Sequence, residues 1–271
     1  MKKISLGLLL ITFSLEALSA SPSSIELLKN PHSTQQKLAK EDLVSLDRLE
    51  NMFTMDSRSP GLSAMLKRQT LKHRQKAVPV LIKVMKESKY PDQNRWQATM
   101  LLAQVMGKRS APFIAKFIDH PNWMMRVATL KALLGLKQEN YHQVYAKALK
   151  DSSLIVRVQA LDNISKMKIS GLAPHVWNMM YDQSNYSGDS GKRKRTNIVK
   201  SIIRTLGDVK FQKARAPLAK LIQKPKYQDL IEDLDYSLEK ITGEISPNSN
   251  IELRRKFWSK IEQKNNTAKK I

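Results

Sequence analysis

The stretch Ser187-Gly-Asp-Ser-Gly-Lys-Arg-Lys-Arg195 holds the residue types in this chain most suited to chemistry. Gly188-Asp189-Ser190-Gly191 presents a hydroxyl between glycines, the setting of a nucleophilic serine. Gly191-Lys192 is the end of a loop that could cradle phosphate on backbone N–H groups. Lys192-Arg193-Lys194-Arg195 is a dense cluster of positive charge. The three possibilities make three different proteins: an enzyme, a nucleotide binder or a scaffold.

The elements around the stretch decide between them. A serine nucleophile of this kind needs a glycine where Lys192 stands, a β-barrel around it, and a histidine and an aspartate on separate loops. A phosphate loop needs Gly-x-x-x-x-Gly-Lys-Ser/Thr after a buried strand, but Tyr186 takes the first glycine position and Arg193 follows the lysine. The flanking segments have helical periodicity, so neither setting is available. What remains is positive charge at the start of a helix, where the helix dipole disfavours it and an incoming anion would relieve the clash. A solvated loop and an anion-binding loop both fit this pattern.

The helices repeat. "RWQATMLLAQVMG" from Arg95, "RVATLKALLGLKQ" from Arg126 and "RVQALDNISKMKI" from Arg157 start 31 residues apart (126 − 95 and 157 − 126). "RTNIVKSIIRTLG" from Arg195 is a fourth copy, and "IEDLDYSLEKITG", ending at Gly243, a fifth without the arginine. Each has apolar residues on one face, as in Ala160, Ile164 and Met167. A second apolar segment precedes each copy, often opened by proline: Val78-Pro79, Ala111-Pro112, Ala173-Pro174 and Ala216-Pro217. Short turns such as "DHPN" and "KDSS" join the two segments. Such pairs bury their apolar faces only by stacking on neighbours. The expected fold is therefore all-α: a right-handed α-solenoid of about five helix pairs with N- and C-terminal helical caps.

Val156-Arg157 with Asp151 ahead of it resembles the HEAT-like repeats of the phycobilisome-lyase type, and the resemblance covers residues 77 to 243. Ile241-Thr242-Gly243 followed by "IELRRKFWSKI" resembles the tryptophan-bearing helix that closes many bacterial HEAT-like chains, with Phe257 and Trp258 over the last repeat. The resemblance implies that each arginine pairs with the aspartate of the turn before it: Arg126 with Asp119, Arg157 with Asp151 and Arg195 with Asp189. It also implies that the second helices line a concave face. Lys131, Lys166, Lys200, Arg204 and Lys240 would form a basic stripe there, interrupted by Asp162, and with Lys192, Arg193 and Lys194 of the inserted loop they are the candidate partner-binding residues. That loop is seven residues longer than its predecessor, since Arg195 follows Arg157 by 38 positions rather than 31. Trp96 and Trp123 are expected in packing between repeats.

Composition fits an ordinary globular chain: 271 residues, 41% hydrophobic and 26% charged. Lysine and arginine number 47 against 24 aspartates and glutamates, a net charge of +23 that draws the protein to anionic surfaces whatever its fold. Between Lys192 and Lys226 twelve basic residues face one acidic residue, Asp208. With no cysteine, disulfides and thiolate chemistry are excluded. The five histidines, 32, 73, 120, 142 and 175, are not at metal-ligand spacing, and no cofactor or catalytic set is implied.

Met1-Lys2-Lys3, an apolar run from Ile4 to Leu15 and Ala17-Leu18-Ser19-Ala20 read as a cleavable signal peptide. The expected organisation is a signal peptide (1–20), a flexible lead-in (21–44), the repeats with an irregular cap (45–243), and a capping helix with a basic tail (244–271). The function expected is that of a monomeric, exported, periplasmic or secreted scaffold without catalysis. Its partner would be an acidic protein or an anionic envelope polymer. The rival expectation is nucleic-acid binding, since some HEAT-like proteins resemble alkylpurine DNA glycosylases, which grip the phosphate backbone with a basic concave face.

Overall fold

The computed structural model describes residues 31–186, 196–247 and 250–268, and among them every regular element is helical. The signal peptide expected at 1–20 and the inserted stretch 187–195 lie outside the described residues. Two compact units divide at residues 48 and 49. Helix α1 (Pro31–Met52) begins in the first. The expectation of a loose lead-in through residue 44 is thus corrected from residue 31 onward. The segment is rich in Gln, Lys, Leu and Glu, which favour helix, and proline at the first helical position starts one without losing a hydrogen bond.

In the second unit α2 (Leu62–His73) precedes five helix pairs. The first members are α3 (Val78–Lys86), α5 (Ala111–Ala115), α7 (His142–Ala148), α9 (Ala173–Asn178) and α11 (Arg215–Ile222). Their partners are α4 (Asp92–Met106), α6 (Trp123–Gly135), α8 (Leu154–Met167), α10 (Thr196–Asp208) and α12 (Ile231–Thr242). Proline occupies the second helical position of α3, α5 and α9, where its missing N–H has no intrahelical acceptor to lose. Asp92, Trp123 and Leu154 start α4, α6 and α8 at 31-residue intervals (123 − 92 and 154 − 123). Arg95, Arg126 and Arg157 therefore lie one turn inside their helices, three residues past the start. Lys137, Lys168 and Lys210 take positive φ (52°, 53° and 51°) just past α6, α8 and α10, where a cation favours the helix's negative end.

Each second helix packs on its own first helix and on the second helix of the next pair, in the order α4, α6, α8, α10, α12. One apolar cluster runs from Ala111 to Trp258, through Tyr145, Ile164, Ile202 and Leu234, all fully buried. Burying a side chain of this size stabilises by about 1.5–3 kcal/mol, which is how a chain without disulfides holds together. Helix α13 (Ile251–Ala268) closes the unit against α11 and buries Trp258 to 1% exposure, with Phe257 half-buried beside it. The basic tail expected from Gln263 is helical to Ala268. Among the described residues, no helix is long and apolar enough to cross a membrane.

Candidate functional site

The described arginines of the series are staples, and Arg126 reaches the other way from expectation. Arg126 donates from Nε and Nη2 to Asp151 of the following turn, both at 2.7 Å, and from Nη1 to the carbonyls of His120 and Pro121 at 2.9 Å. This planar fork is strong and geometrically specific. The pair expected with Asp119 is not made. Asp119 is largely exposed and binds Lys147. Arg157 Nη1 donates to the Asp151 backbone carbonyl at 2.6 Å. Arg195 and Asp189 lie outside the described residues, as do Lys192, Arg193 and Lys194.

The receiving position has its own register. Residues 120, 151 and 182, at the 31-residue spacing, are His, Asp and Asp, and each accepts the backbone N–H two residues on: Asn122 at 3.0 Å, Ser153 at 2.8 Å and Ser184 at 2.9 Å. Arg95 meets His120 there, with Nη2 at 2.8 Å from Nε2. Burial, and then the adjacent Arg95 guanidinium, push the His120 imidazole below its ordinary value. Around it, Asn122 caps α6 by accepting the Met124 N–H at 2.8 Å and ties back to Asp92 at 2.6 Å.

The expected basic stripe is a ladder of mixed charge. Lys166 pairs with Asp162 at 2.9 Å. Arg204 pairs with Asp233, a buried residue in the first turn of α12, and Lys200 lies 3.9 Å from the same carboxylate. Asp208 accepts from Ser165 on α8 at 2.5 Å and from Tyr236 on α12 at 2.6 Å, which joins three successive second helices. This hydrogen bond, and burial after it, raise the Tyr236 phenol above its ordinary value. Arg204 and Lys240 lie over the Tyr236 ring at 4.8 and 5.5 Å from its centre. Of the stripe, Lys131 is exposed and forms no ion pair among the described residues. Asp162 and Asp233 thus offset part of the positive charge of this face.

The tryptophans divide. Trp96 is half-buried, whereas Trp123, expected between repeats, is 41% exposed because it is the first residue of α6 and precedes the buried face that begins at Met125.

The concavity with the clearest ligand chemistry is one that the repeat pattern did not single out. A cleft of about 440 Å³ opens between α9 and α11, with α10 and α12 beneath it. Val199, Leu230 and Leu234 form a buried apolar floor. Trp177, Tyr186 and Tyr227 are half-buried walls, and Tyr181, 70% exposed, meets Trp177 edge-on with ring centres 5.7 Å apart. Lys220 and Lys224 stand exposed at its rim, one turn apart, with no ion-pair partner among the described residues. Among the described residues, the lining contains no carboxylate. Trp177 and Tyr181 at i and i+4 were the available signal in the sequence, but Tyr227 and the lysines lie some 40 to 50 positions away and join them only by stacking of one pair on the next.

Among the described residues, no three histidines, cysteines or carboxylates gather in a metal-binding arrangement. No protein-family model matches the chain, and no curated protein sequence matches it.

Proposed function

We propose that this protein is an exported, monomeric scaffold without catalysis, a right-handed HEAT-like stack of about five pairs that engages an acidic protein or an anionic polymer of the envelope or the secreted fraction. The observation that carries the reading is the contrast between two surfaces. Along the second helices Lys166, Lys200 and Arg204 each have an aspartate at hand, whereas the cleft between α9 and α11 combines exposed aromatic surface with two cations lacking a counter-charge among the described residues. A surface satisfied internally has little to offer a ligand, while unmatched rings and ammonium groups in one concavity do. The net charge of +23 adds long-range steering toward an acidic partner.

Capture from envelope and secreted fractions tests this. The protein is expressed with its own leader, purified from the exported fraction, immobilised, and washed at about 0.15 M and about 0.5 M salt, between which screening of exposed charge rises steeply. A defined component retained at both concentrations is the expected result. A companion variant with Lys192, Arg193 and Lys194 changed to Ser weighs the inserted cluster. Failure to export the protein, or retention of nothing from either fraction, overturns the reading. The exposed Trp123 gives nucleic acid a stacking surface, so duplex DNA is included as a competitor. Capture of DNA alone, lost at high salt, transfers the function to nucleic-acid binding.

A further inference from the structure

We infer that the cleft between α9 and α11 is a groove for an extended peptide segment of another protein, one that carries an aromatic or branched aliphatic anchor with carboxylates beside it. The inference rests on the scaffold reading above and names the chemistry of the occupant.

The anchor follows from the floor and walls. Val199 and Leu230, backed by the fully buried Leu234, close the base with apolar side chains, and Met180, an unbranched and polarizable side chain, lets the wall adapt to more than one shape. About 440 Å³ lies within the range of ligand sites and accommodates two or three side chains rather than a folded element. Tyr181 is held in water at the mouth, steered by Trp177. Rigid aromatic rings of this kind supply large contact area and lose little conformational freedom on binding.

The carboxylates follow from charge. Lys220 and Lys224 face no acid of the lining, in contrast to Lys166, Lys200 and Arg204, each of which has an aspartate at hand. A segment with Asp or Glu flanking its anchor supplies the missing partners. A saccharide is a poorer fit, because the described residues of the lining have no carboxylate, amide or guanidinium to fork onto vicinal hydroxyls, and the Tyr186 hydroxyl is already donated to the Met180 carbonyl at 2.8 Å. A nucleic-acid strand finds rings on which to stack but, among the described residues, only two ammonium groups in the lining for its phosphates.

The test uses the processed full-length protein and short fluorescein-labelled peptides, read by fluorescence anisotropy. Their centres are Trp, Phe, Leu or Ser, and their flanks are acidic or basic. Acidic peptides with a Trp, Phe or Leu centre are expected to bind, and those with a Ser centre at least about tenfold more weakly. Tyr181→Ala is expected to weaken binding about tenfold, as is the pair Lys220→Ser with Lys224→Ser, the latter also flattening the salt dependence. These side chains are exposed, and circular dichroism confirms that the variants fold; Val199→Trp, which fills the floor, is the companion. The groove is overturned if no acidic peptide binds up to about 1 mM. It is overturned equally if Ser-centred peptides bind as well as the others, if the cleft variants keep full affinity, or if oligonucleotide or acidic oligosaccharide binds more tightly and Tyr181→Ala abolishes that binding. Peptide binding that maps to the cleft while the capture experiment returns nothing leaves the groove standing and removes the exported-scaffold reading. Capture that persists in the cleft variants does the reverse.

Discussion

The Trp258 indole N–H donates to Asp235 Oδ1 at 2.6 Å, which ties the closing helix α13 to the last repeat helix α12. The other oxygen of Asp235 accepts from Ser246 Oγ at 2.8 Å and lies 3.4 Å from Arg254 Nε. This buried carboxylate therefore gathers α12, the connecting segment and α13 at one point. The closing helix is thereby joined to the repeats by a polar latch as well as by apolar area.

Removing only the donor isolates the latch. Trp258→Phe keeps most of the ring volume and is expected to cost about 1–3 kcal/mol, since Asp235 is left buried with one hydrogen bond fewer. Trp258→Ala also opens a cavity and should cost about 3–5 kcal/mol. Urea unfolding followed by circular dichroism, which does not depend on the altered tryptophan, measures both. Equal stability of wild type and Trp258→Phe would show that the bond contributes nothing net.

Gly207 offers a sharper case, because an alanine there reverses the usual expectation. Glycine inside a helix is normally less favourable than alanine by about 1 kcal/mol. A Cβ at Gly207 would come within 2.7 Å of the Ser237 Cα and 2.9 Å of its hydroxyl, on the backbone of the adjacent α12. The helix must shift to admit it, so Gly207→Ala is expected to destabilise by about 1–3 kcal/mol, as overpacking does elsewhere. A thermal melt at or above the wild-type midpoint would mean that α10 and α12 separate without cost.

How much of this was legible in the sequence depends on the range of the interaction. The 31-residue period and the prolines place the helices, because both signals act within a few residues; the starts of α4, α6 and α8 keep that spacing to the residue. The direction of the arginines was not legible. Asp119 and Asp151 are both aspartates in turns, and nothing local says that Arg126 reaches the next turn rather than its own. The balance of the expected basic stripe was hidden for a similar reason. Asp233 belongs to the first turn of α12, where an acid favours the helix's positive end, and only packing brings it to Arg204 on α10. Residues 31–44 read as a loose lead-in because residues 21–44 are rich in Ser, Gln and Lys, yet Gln and Lys are also good helix formers.

The forward staple is tested against its rival by two substitutions. Asp151 and Arg126 are nearly buried, with side chains 10% and 12% exposed, so Asp151→Ala is expected to cost about 3–5 kcal/mol by stranding the guanidinium. Asp119→Ala breaks only an exposed pair with Lys147 and should change stability by less than about 1 kcal/mol. A double-mutant cycle of Arg126→Ala with each aspartate then assigns the coupling. Strong coupling to Asp119 and none to Asp151 would restore the pairing within one turn.

The last prediction uses the repeat register to change a pH response. His120 occupies the position that Asp151 holds one repeat later, and its imidazole is held below the ordinary value of 6.5 by burial and by Arg95. The folded protein thus binds the proton less readily than the unfolded chain. Its contribution to stability is complete above pH 6.5 and is lost as the pH falls from there through the depressed folded value. Glu50 acts in the same direction at lower pH: hydrogen bonds from Lys83 and then Tyr90 hold its carboxyl below 4.5, so its contribution goes only as the pH drops through the acid range. Replacing His120 by Asp should therefore separate the two. The carboxylate accepts from Arg95 and from the Asn122 N–H in the manner of Asp151, stays charged between pH 7 and pH 5, and removes the first loss while leaving the second. Urea midpoints at pH 7, 6, 5 and 4 are expected to fall steadily for the wild type, and to stay level down to about pH 5 for His120→Asp before falling. A variant that loses stability between pH 7 and pH 5 as the wild type does would show that His120 is not the group that titrates there.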